Sequence, residues 1–212
     1  MKLLLLITFL PLTLLSLGQN MRTTIVKEIP SISIYDLYGD TTNLTTLSKG
    51  KITFIDFWFV PCGPCFSEMH MLHKLYAKYK SNSNISFLTI TLTDSSFVRP
   101  LVENKNTSNN ETYEYFKTLT NLDTFKLPVY FITGGNSKMI SFKKTKNGFS
   151  GHGEPRIKDN PYYPGNIFGF SGYPTILIFN TKAELIYNNT GFIKDNEKKQ
   201  KREIEELINA NL

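Results

Sequence analysis

Both cysteines of the 212-residue chain lie three positions apart, in the stretch FIDFWFVPCGPCFSEMH (54–70), which also holds its only tryptophan, Trp58. Two thiols at that spacing permit a metal clip, a structural staple or a redox pair. A staple this short closes a tiny loop, and the stabilisation from a crosslink grows with loop length. A structural zinc site takes four ligands, and no second Cys-x-x-Cys or paired histidine cluster stands at suitable spacing. A redox pair fits best. Cys62 precedes an apolar periodic segment that reads as a helix, so the unpaired N–H groups and positive end of that helix favour its thiolate. The thiolate is the species that attacks a disulfide. Cys65, one turn further in, is expected to be buried and to resolve the mixed disulfide formed on Cys62.

Moving that proton needs an acceptor, and two carboxylates qualify. Asp56 interrupts the apolar run KITFIDFWF (51–59), and alternation puts it on the face opposite Phe57. A buried carboxylate without a partner resists ionisation, which suits a base working near neutral pH. Glu68 follows Cys65 by three residues and shares its helical face. Plainer roles compete: Asp56 as partner of a buried lysine or a backbone N–H, Glu68 as a surface residue of the helix. A third idea comes from MHMLH (69–73). Soft sulfur ligands select Cu(I), but on a helix Met69 and Met71 only border the face shared by His70 and His73. Helix filling and solvated histidines are the expected roles there, and His152 is expected in an exposed loop.

The elements that must position these groups are readable from periodicity. PSISIYDLYGDTTNLTTLSKG (30–50) alternates at Ile32 and Ile34 and turns at Gly39–Asp40, which predicts a β-hairpin. Residues 51–59 predict a buried central strand, and 85–92 a second one. Between them Met69, Leu72, Leu75, Tyr76 and Tyr79 recur at helical spacing from Pro64 to about Lys80. Pro64 falls in the first turn, where its missing N–H costs nothing. Strand, helix and strand in that order make a right-handed βαβ unit with parallel strands. A helix is expected at 111–122, a short strand at 127–133, a strand pair at 174–180 and 183–192, and a charged helix at 196–212. Residues 134–166 break the rhythm; MISFKKTKNGF within them predicts a hairpin turning at Asn147–Gly148. Trp58 is expected to support the active-site turn from the core.

Composition places few further bounds. Apolar residues are 41 % and charged residues 20 %, and the formal net charge is +6. Those values are ordinary for a globular protein, and so mild an excess of positive charge gives no reason to expect nucleic acid. The first residues, MKLLLLITFLPLTLLSLGQN, carry Lys2, an apolar run from Leu3 to Leu17 and small residues Ser16 and Gly18. That pattern predicts an export signal over 1–18, cleaved near Gly18–Gln19, ahead of one domain over 19–212. An uncleaved anchor is the less favoured reading, because the run is shorter than a spanning helix needs.

FIDFWFVPCGPC resembles the active-site strand and turn of thioredoxins. DLYGDTTNLTTLSKGK is similar to the segment that opens TlpA/ResA-like thiol:disulfide oxidoreductases, and GFSGYPTILIFN resembles the strand that this family begins at a cis-proline. The resemblance covers about residues 29–212 apart from the insertion at about 134–166. It implies an α/β thioredoxin-like fold, a central mixed β-sheet flanked by helices, with the N-terminal hairpin and the insertion lying before the cis-Pro strand. It also implies that Asp56 matches the buried aspartate of thioredoxins and Glu68 a glutamate of the TlpA/ResA-like group. Pro174, after Tyr173, would be the cis-proline, beside which an extended substrate peptide can pair as an added strand. Gly63–Pro64 is the dipeptide of reducing members. Pro61 stands where thioredoxins proper carry Trp, so partner recognition should differ. A peroxiredoxin-type peroxidase fits poorly, since position 59 is Phe and not the Thr or Ser of that class.

The expected function is thus exported thiol:disulfide exchange, with disulfides of protein substrates reduced by the Cys62–Cys65 dithiol. The catalytic set is Cys62, Cys65, Glu68 and Asp56, and the substrate-binding set is Pro174, Tyr173, Pro61 and Pro64. No metal and no cofactor beyond the redox-active disulfide are expected. A membrane-borne dithiol would return the electrons in the periplasm or another extracytoplasmic space, to a monomer. The alternative is a non-catalytic binding module, or a copper carrier of the same space. The insertion is expected near the rim of the site, where it would restrict which disulfides reach Cys62.

Overall fold

Strand β3 (Ile52–Trp58), the apolar run that ends four residues before Cys62, is buried at every position. It lies at the centre of a computed structural model that describes residues 24–103, 111–135, 139–153 and 160–212. The segment 1–18 expected to direct export lies outside the described residues. Ahead of β3, β1 (Ser33–Asp36) and β2 (Thr41–Asn43) form the predicted hairpin, followed by α1 (Leu44–Ser48). After it come α2 (Gly63–Tyr79), β4 (Ile85–Thr91), α3 (Ser95–Val102) and α4 (Glu111–Thr120). Then β5 (Val129–Ile132) leads to a separate two-stranded arm, β6 (Met139–Thr145) and β7 (Gly148–Gly153), and to α5 (Pro164–Phe168). β8 (Thr175–Phe179), β9 (Leu185–Thr190) and α6 (Glu197–Ala210) complete the chain.

The main sheet has the order β2-β1-β5-β4-β3-β8-β9. β3 pairs in parallel with β4, and β4 with β5; the remaining pairs are antiparallel. The sheet is mixed, as expected, and the parallel β3–α2–β4 unit sits in its middle. The hairpin does more than precede the core: β1 pairs with β5 and extends the sheet. Alternation along β3 divides the core in two. Ile52, Phe54 and Trp58 join the cluster under α2, α4 and α6, whereas Ile55 and Phe57 join the one that holds Leu44, Phe168 and Phe170. Asp56 falls in register with Phe54 and Trp58, so the strand's own period of two delivers a carboxylate to the α2 side.

Three short helices go beyond those expected from the sequence. α1 begins at Asn43, whose Oδ1 accepts from the Thr45 N–H at 2.9 Å, and α3 at Asp94, whose Oδ1 accepts from the Ser96 N–H at 2.8 Å. Both are side-chain N-caps. α3 also carries Pro100 inside it, a residue that normally argues against a helix. α5 is a single turn closed by Gly169 in the left-handed conformation at φ 76°. A side chain there would run into the Thr24 carbonyl, which approaches that position closely. Among the described residues no helix is long and apolar enough to cross a membrane.

Candidate active site

The chain leaves β3 at Trp58, and the turn that follows is held from two sides. The Val60 N–H donates to Thr93 Oγ1 at 2.7 Å, and the Cys62 N–H donates to the Phe59 carbonyl at 3.0 Å. Cys62 is the N-cap of α2, with extended backbone, and its Sγ accepts from the Cys65 N–H at 3.2 Å. Pro64 occupies the first turn, as its missing donor allows. Cys62 and Cys65 are joined by a disulfide. Both are buried, at 5 % and 1 % exposure, so only a narrow face of the outer sulfur meets solvent. The donor that reaches Cys62 Sγ in this oxidised state is placed to stabilise a thiolate on the same atom once the pair is reduced.

Beneath the disulfide lie the two carboxylates. Asp56 and Glu68 are each 1 % exposed. Asp56 Oδ1 and Glu68 Oε2 have no hydrogen-bond partner among the described residues. Burial pushes the Asp56 carboxyl up to about 8, against which a hydrogen bond from the Phe57 backbone works weakly. Burial also holds Glu68 well above the usual carboxylate range, Asp56 adds repulsion, and the Gln200 amide opposes both. Two neighbouring buried acids that repel cannot both ionise near neutrality, so the pair holds at least one proton there. One of the plainer roles is present as well: the Phe57 backbone N–H is a partner of Asp56. No buried lysine pairs with Asp56 among the described residues, and Glu68 belongs to the interior rather than to the surface of α2.

Two cis peptide bonds flank the site. Tyr173–Pro174 is cis, the geometry the resemblance implies, and Val60–Pro61, directly before Cys62, is cis as well. Tyr173 packs edge-on against Phe59 with ring centroids 5.2 Å apart, and against Phe170 at 5.3 Å. Trp58 stands under the turn, fully buried and edge-on to Phe66 at 5.8 Å, the supporting role expected of it.

The insertion supplies the other flank. β6 and β7 pair antiparallel around Asn147–Gly148, as predicted. The backbone of Gly151 lies against Pro61 so closely that a Cβ there would sit 2.7 Å from the Pro61 ring and 3.1 Å from Phe142. Tyr115 on α4 gathers the arm: its ring lies 4.9 Å from Phe66, 5.3 Å from Phe142 and 5.0 Å from Phe149. Its hydroxyl is 3.3 Å from where a side chain on Gly63 would begin. The arm therefore touches Pro61 on one side of Cys62 in sequence, and Tyr115, on which the arm packs, stands beside Gly63 on the other. Gly151 and Tyr115 were not among the predicted site residues; a glycine in a hairpin and a tyrosine on a helix stripe carry no sequence mark of such contacts.

The histidines and methionines of 69–73 do not gather at the disulfide. Met69 and Met71 are fully buried core residues. His73 donates from Nδ1 to the Met69 carbonyl at 2.7 Å and accepts at Nε2 from the Lys126 N–H at 3.0 Å, which commits both nitrogens. Burial lowers its pKa, in keeping with that neutral tautomer. His70 pairs with Glu197 at 3.2 Å. The backbone at residue 152 lies in strand β7 rather than in a loop.

No family model matches the chain. The thiol-disulfide oxidoreductase ResA of Bacillus thuringiensis is 45 % identical over 54 residues, which are 26 % of this chain and 31 % of that protein. The ResA of Halalkalibacterium halodurans is 37 % identical over 54 residues, again 26 % of this chain and 30 % of its own length. The matched stretch thus spans about a third of the curated relatives. Among solved structures, a candidate thiol:disulfide interchange protein DsbE from Chlorobium tepidum superimposes with TM-score 0.51 at 17 % identity, over 87 % of this chain and 99 % of that one. The thioredoxin domain of a thiol-disulfide oxidoreductase from Bacteroides vulgatus gives 0.50 at 17 % identity, over 87 % and 98 %. The fold is thioredoxin-like, with a Cys-x-x-Cys pair at the start of its first long helix, and a stretch of 54 residues is similar to ResA.

Proposed function

We propose that this protein is an exported thiol:disulfide oxidoreductase that reduces disulfides in protein substrates. The observation that carries the reading is the placement of the pair. Cys62 caps α2 with its sulfur on a backbone N–H, Cys65 lies one turn deeper, and two protonatable carboxylates sit below. In the reduced form the Cys62 thiolate attacks one sulfur of the target. A Cys62–substrate disulfide forms, and the first substrate sulfur leaves as a thiolate. Cys65 then gives its proton to the ionised member of the Asp56–Glu68 pair and attacks Cys62. The second substrate thiolate leaves, and the protein is left as the Cys62–Cys65 disulfide. Two electrons have passed to the substrate, whose thiolates take up two protons.

Substrate access follows from the two flanks. The Tyr173–Pro174 edge offers backbone for an extended peptide to pair with. Pro61 and the arm seated on it narrow the opposite approach and restrict which disulfides reach Cys62. Pro64 shapes the turn between the sulfurs. A membrane-borne dithiol returns the electrons, and the protein works as a monomer in the periplasm or another extracytoplasmic space, delivered by the segment 1–18. The curated relatives and structural neighbours named thiol-disulfide oxidoreductases support the chemistry.

Insulin reduction by dithiothreitol tests the reading. The protein should accelerate it, and Cys62→Ser should return the rate to the uncatalysed background. A variant that keeps the wild-type rate overturns the proposal. The copper-carrier alternative predicts the reverse: about one copper per protein, bound without turnover.

A further inference from the structure

Glu68 has one hydrogen bond to a side chain outside its own helix, and it leads toward water. Gln200 Nε2 on α6 donates to Glu68 Oε1 at 3.4 Å. The Tyr187 hydroxyl on β9 neighbours the Gln200 amide, which works against the upward push of burial on its pKa. Both Gln200 and Tyr187 line a cleft of about 430 Å³ between β9, the loop after it and α6, which is open to solvent. So volume enough for many waters ends one side chain away from a carboxylate that is otherwise sealed. On the outer side the active-site turn and the arm meet at Pro61, next to Cys62. A proton accepted beneath the disulfide needs another way out.

We infer that this cleft is the proton gate of the site, and that Gln200, which lines it beside Tyr187, is the positioning residue that turns Glu68 toward it. Neither residue touches the sulfurs, and the thiol:disulfide reading does not require them. The inference rests on that reading for its purpose, but not for its geometry. The amide cannot carry a proton through itself. Its work is to hold Glu68 Oε1 on the side of the cleft, one side chain behind its lining, and to favour the ionised form there, since a donor aimed at a carboxylate stabilises its charge. The charged and titratable groups around Glu68 are few. Asp56 faces it from β3, Tyr187 from β9, and Lys199 and Glu203 stand on α6 at the cleft rim, 3.8 Å from each other. The rim cation is thus engaged by its own helix neighbour, and Gln200 is the group that answers Glu68. Buried at 8 % exposure on a strongly charged helix, Gln200 has no structural need to be polar. Its neighbours on the same face at steps of four are Ile204 and Ile208, both fully buried.

The test reads Glu68 itself rather than turnover. Infrared titration of the oxidised protein shows the C=O band of its protonated buried carboxyls, and the part lost in Glu68→Gln is assigned to Glu68. In Gln200→Leu the midpoint of that band should rise by about one pH unit, the size expected for losing one donor to a buried carboxylate. Tyr187→Phe, a conservative change that keeps the fold, should raise it in the same direction by less. Exchange of the carboxyl proton for deuterium should slow at least several-fold when Asn196→Trp roofs the cleft. A Glu68 midpoint that stays put in both Gln200→Leu and Tyr187→Phe overturns the positioning role. Unchanged exchange in Asn196→Trp overturns the gate. Either failure leaves insulin reduction untouched, whereas a fully active Cys62→Ser would sink the function without moving any of these bands.

Discussion

Below the disulfide, two carboxylates are locked into the main sheet and its helices; beside it, a two-stranded arm is held by aromatic rings. The two regions are stabilised in opposite ways. Asp56 is placed by β3, a strand buried at all seven positions and paired on both sides, so the fold sets its position regardless of the cost. The arm's strands pair only with each other, and it meets the rest of the described structure through Phe142, which is buried in the main core, Phe149 and Gly151, and through Lys144, whose Nζ reaches Glu114 at 3.0 Å and whose N–H donates to Glu111 at 3.4 Å. The interior is therefore chemically expensive and structurally fixed. The arm is chemically ordinary and can be released locally, since regions with few packed contacts open without global unfolding. Under the proposed function, that division would let the proton chemistry stay constant while the flank varies.

The largest effect belongs to the interior. Asp56→Asn removes the carboxyl that burial pushes up to about 8. An unfolded chain ionises that group near its ordinary value, so between about pH 4 and 8 the native state holds a proton that the unfolded state has lost. Raised in the folded state, the group favours folding at low pH and loses that advantage as pH climbs. Denaturant unfolding of oxidised wild type and Asp56→Asn should therefore nearly coincide at pH 4. The variant should be more stable at pH 8 by several kcal/mol. Equal stabilities at both pH values would mean that the strand does not impose the cost ascribed to it, and the contrast with the arm would lose its first half.

The arm should respond in the reverse manner, in substrates rather than in stability. Replacing residues 139–153 by a short Gly-Ser linker leaves the seven-stranded sheet intact, so the melting temperature should shift by no more than a few degrees. The ratio of kcat/KM for insulin to that for a small aromatic disulfide should change by about fivefold or more, roughly the 1 kcal/mol of one recognition contact. If the ratio holds while the melting temperature collapses, the arm is a structural prop and the division drawn above is false.

The same contrast separates what the sequence makes legible from what it hides. β3 is readable as a continuous apolar run, α2 from apolar residues at helical spacing, and the cysteine pair because so short a loop makes a poor staple and no further metal ligands stand at suitable spacing. The Asn147–Gly148 turn is readable too, since that dipeptide suits a tight hairpin. Where the hairpin lands is not, because its seat is a glycine against a proline, two residues whose contact leaves no periodic trace. Asp56 stands out as a charge in an apolar strand, and the alternation gives its face. Gln200 is the instructive miss. Among the charges of EKKQKREIEELINA it looks like one more solvated residue. Yet it precedes Ile204 and Ile208 by four and eight, and that register marks the buried face of α6. α1 and α3 were hidden for another reason: α1 is short, and α3, amphipathic though it is, carries Pro100 inside it; caps at Asn43 and Asp94 start both.

The smallest expected effect is the sharpest probe of the arm's seat. Gly151→Ala adds a single Cβ, which in the native geometry would stand 2.7 and 2.9 Å from Cγ and Cδ of Pro61. Real Cβ atoms do not approach so closely, and neither neighbour can yield: Pro61 is a ring bound into the active-site turn, and Phe142 beneath is packed by Tyr115. The arm itself must lift. Overpacking of this kind costs about 1–3 kcal/mol, which the sheet, fixed elsewhere, does not share. Amide hydrogen exchange should therefore quicken in β6 and β7 while β3 and β4 stay protected, and the melting temperature should hold. The insulin-to-small-disulfide ratio should move the same way as in the linker variant, by about twofold. Faster exchange throughout the sheet would show that arm and core open together. An unchanged ratio with a loosened arm would show that its fit against Pro61 plays no part in selection.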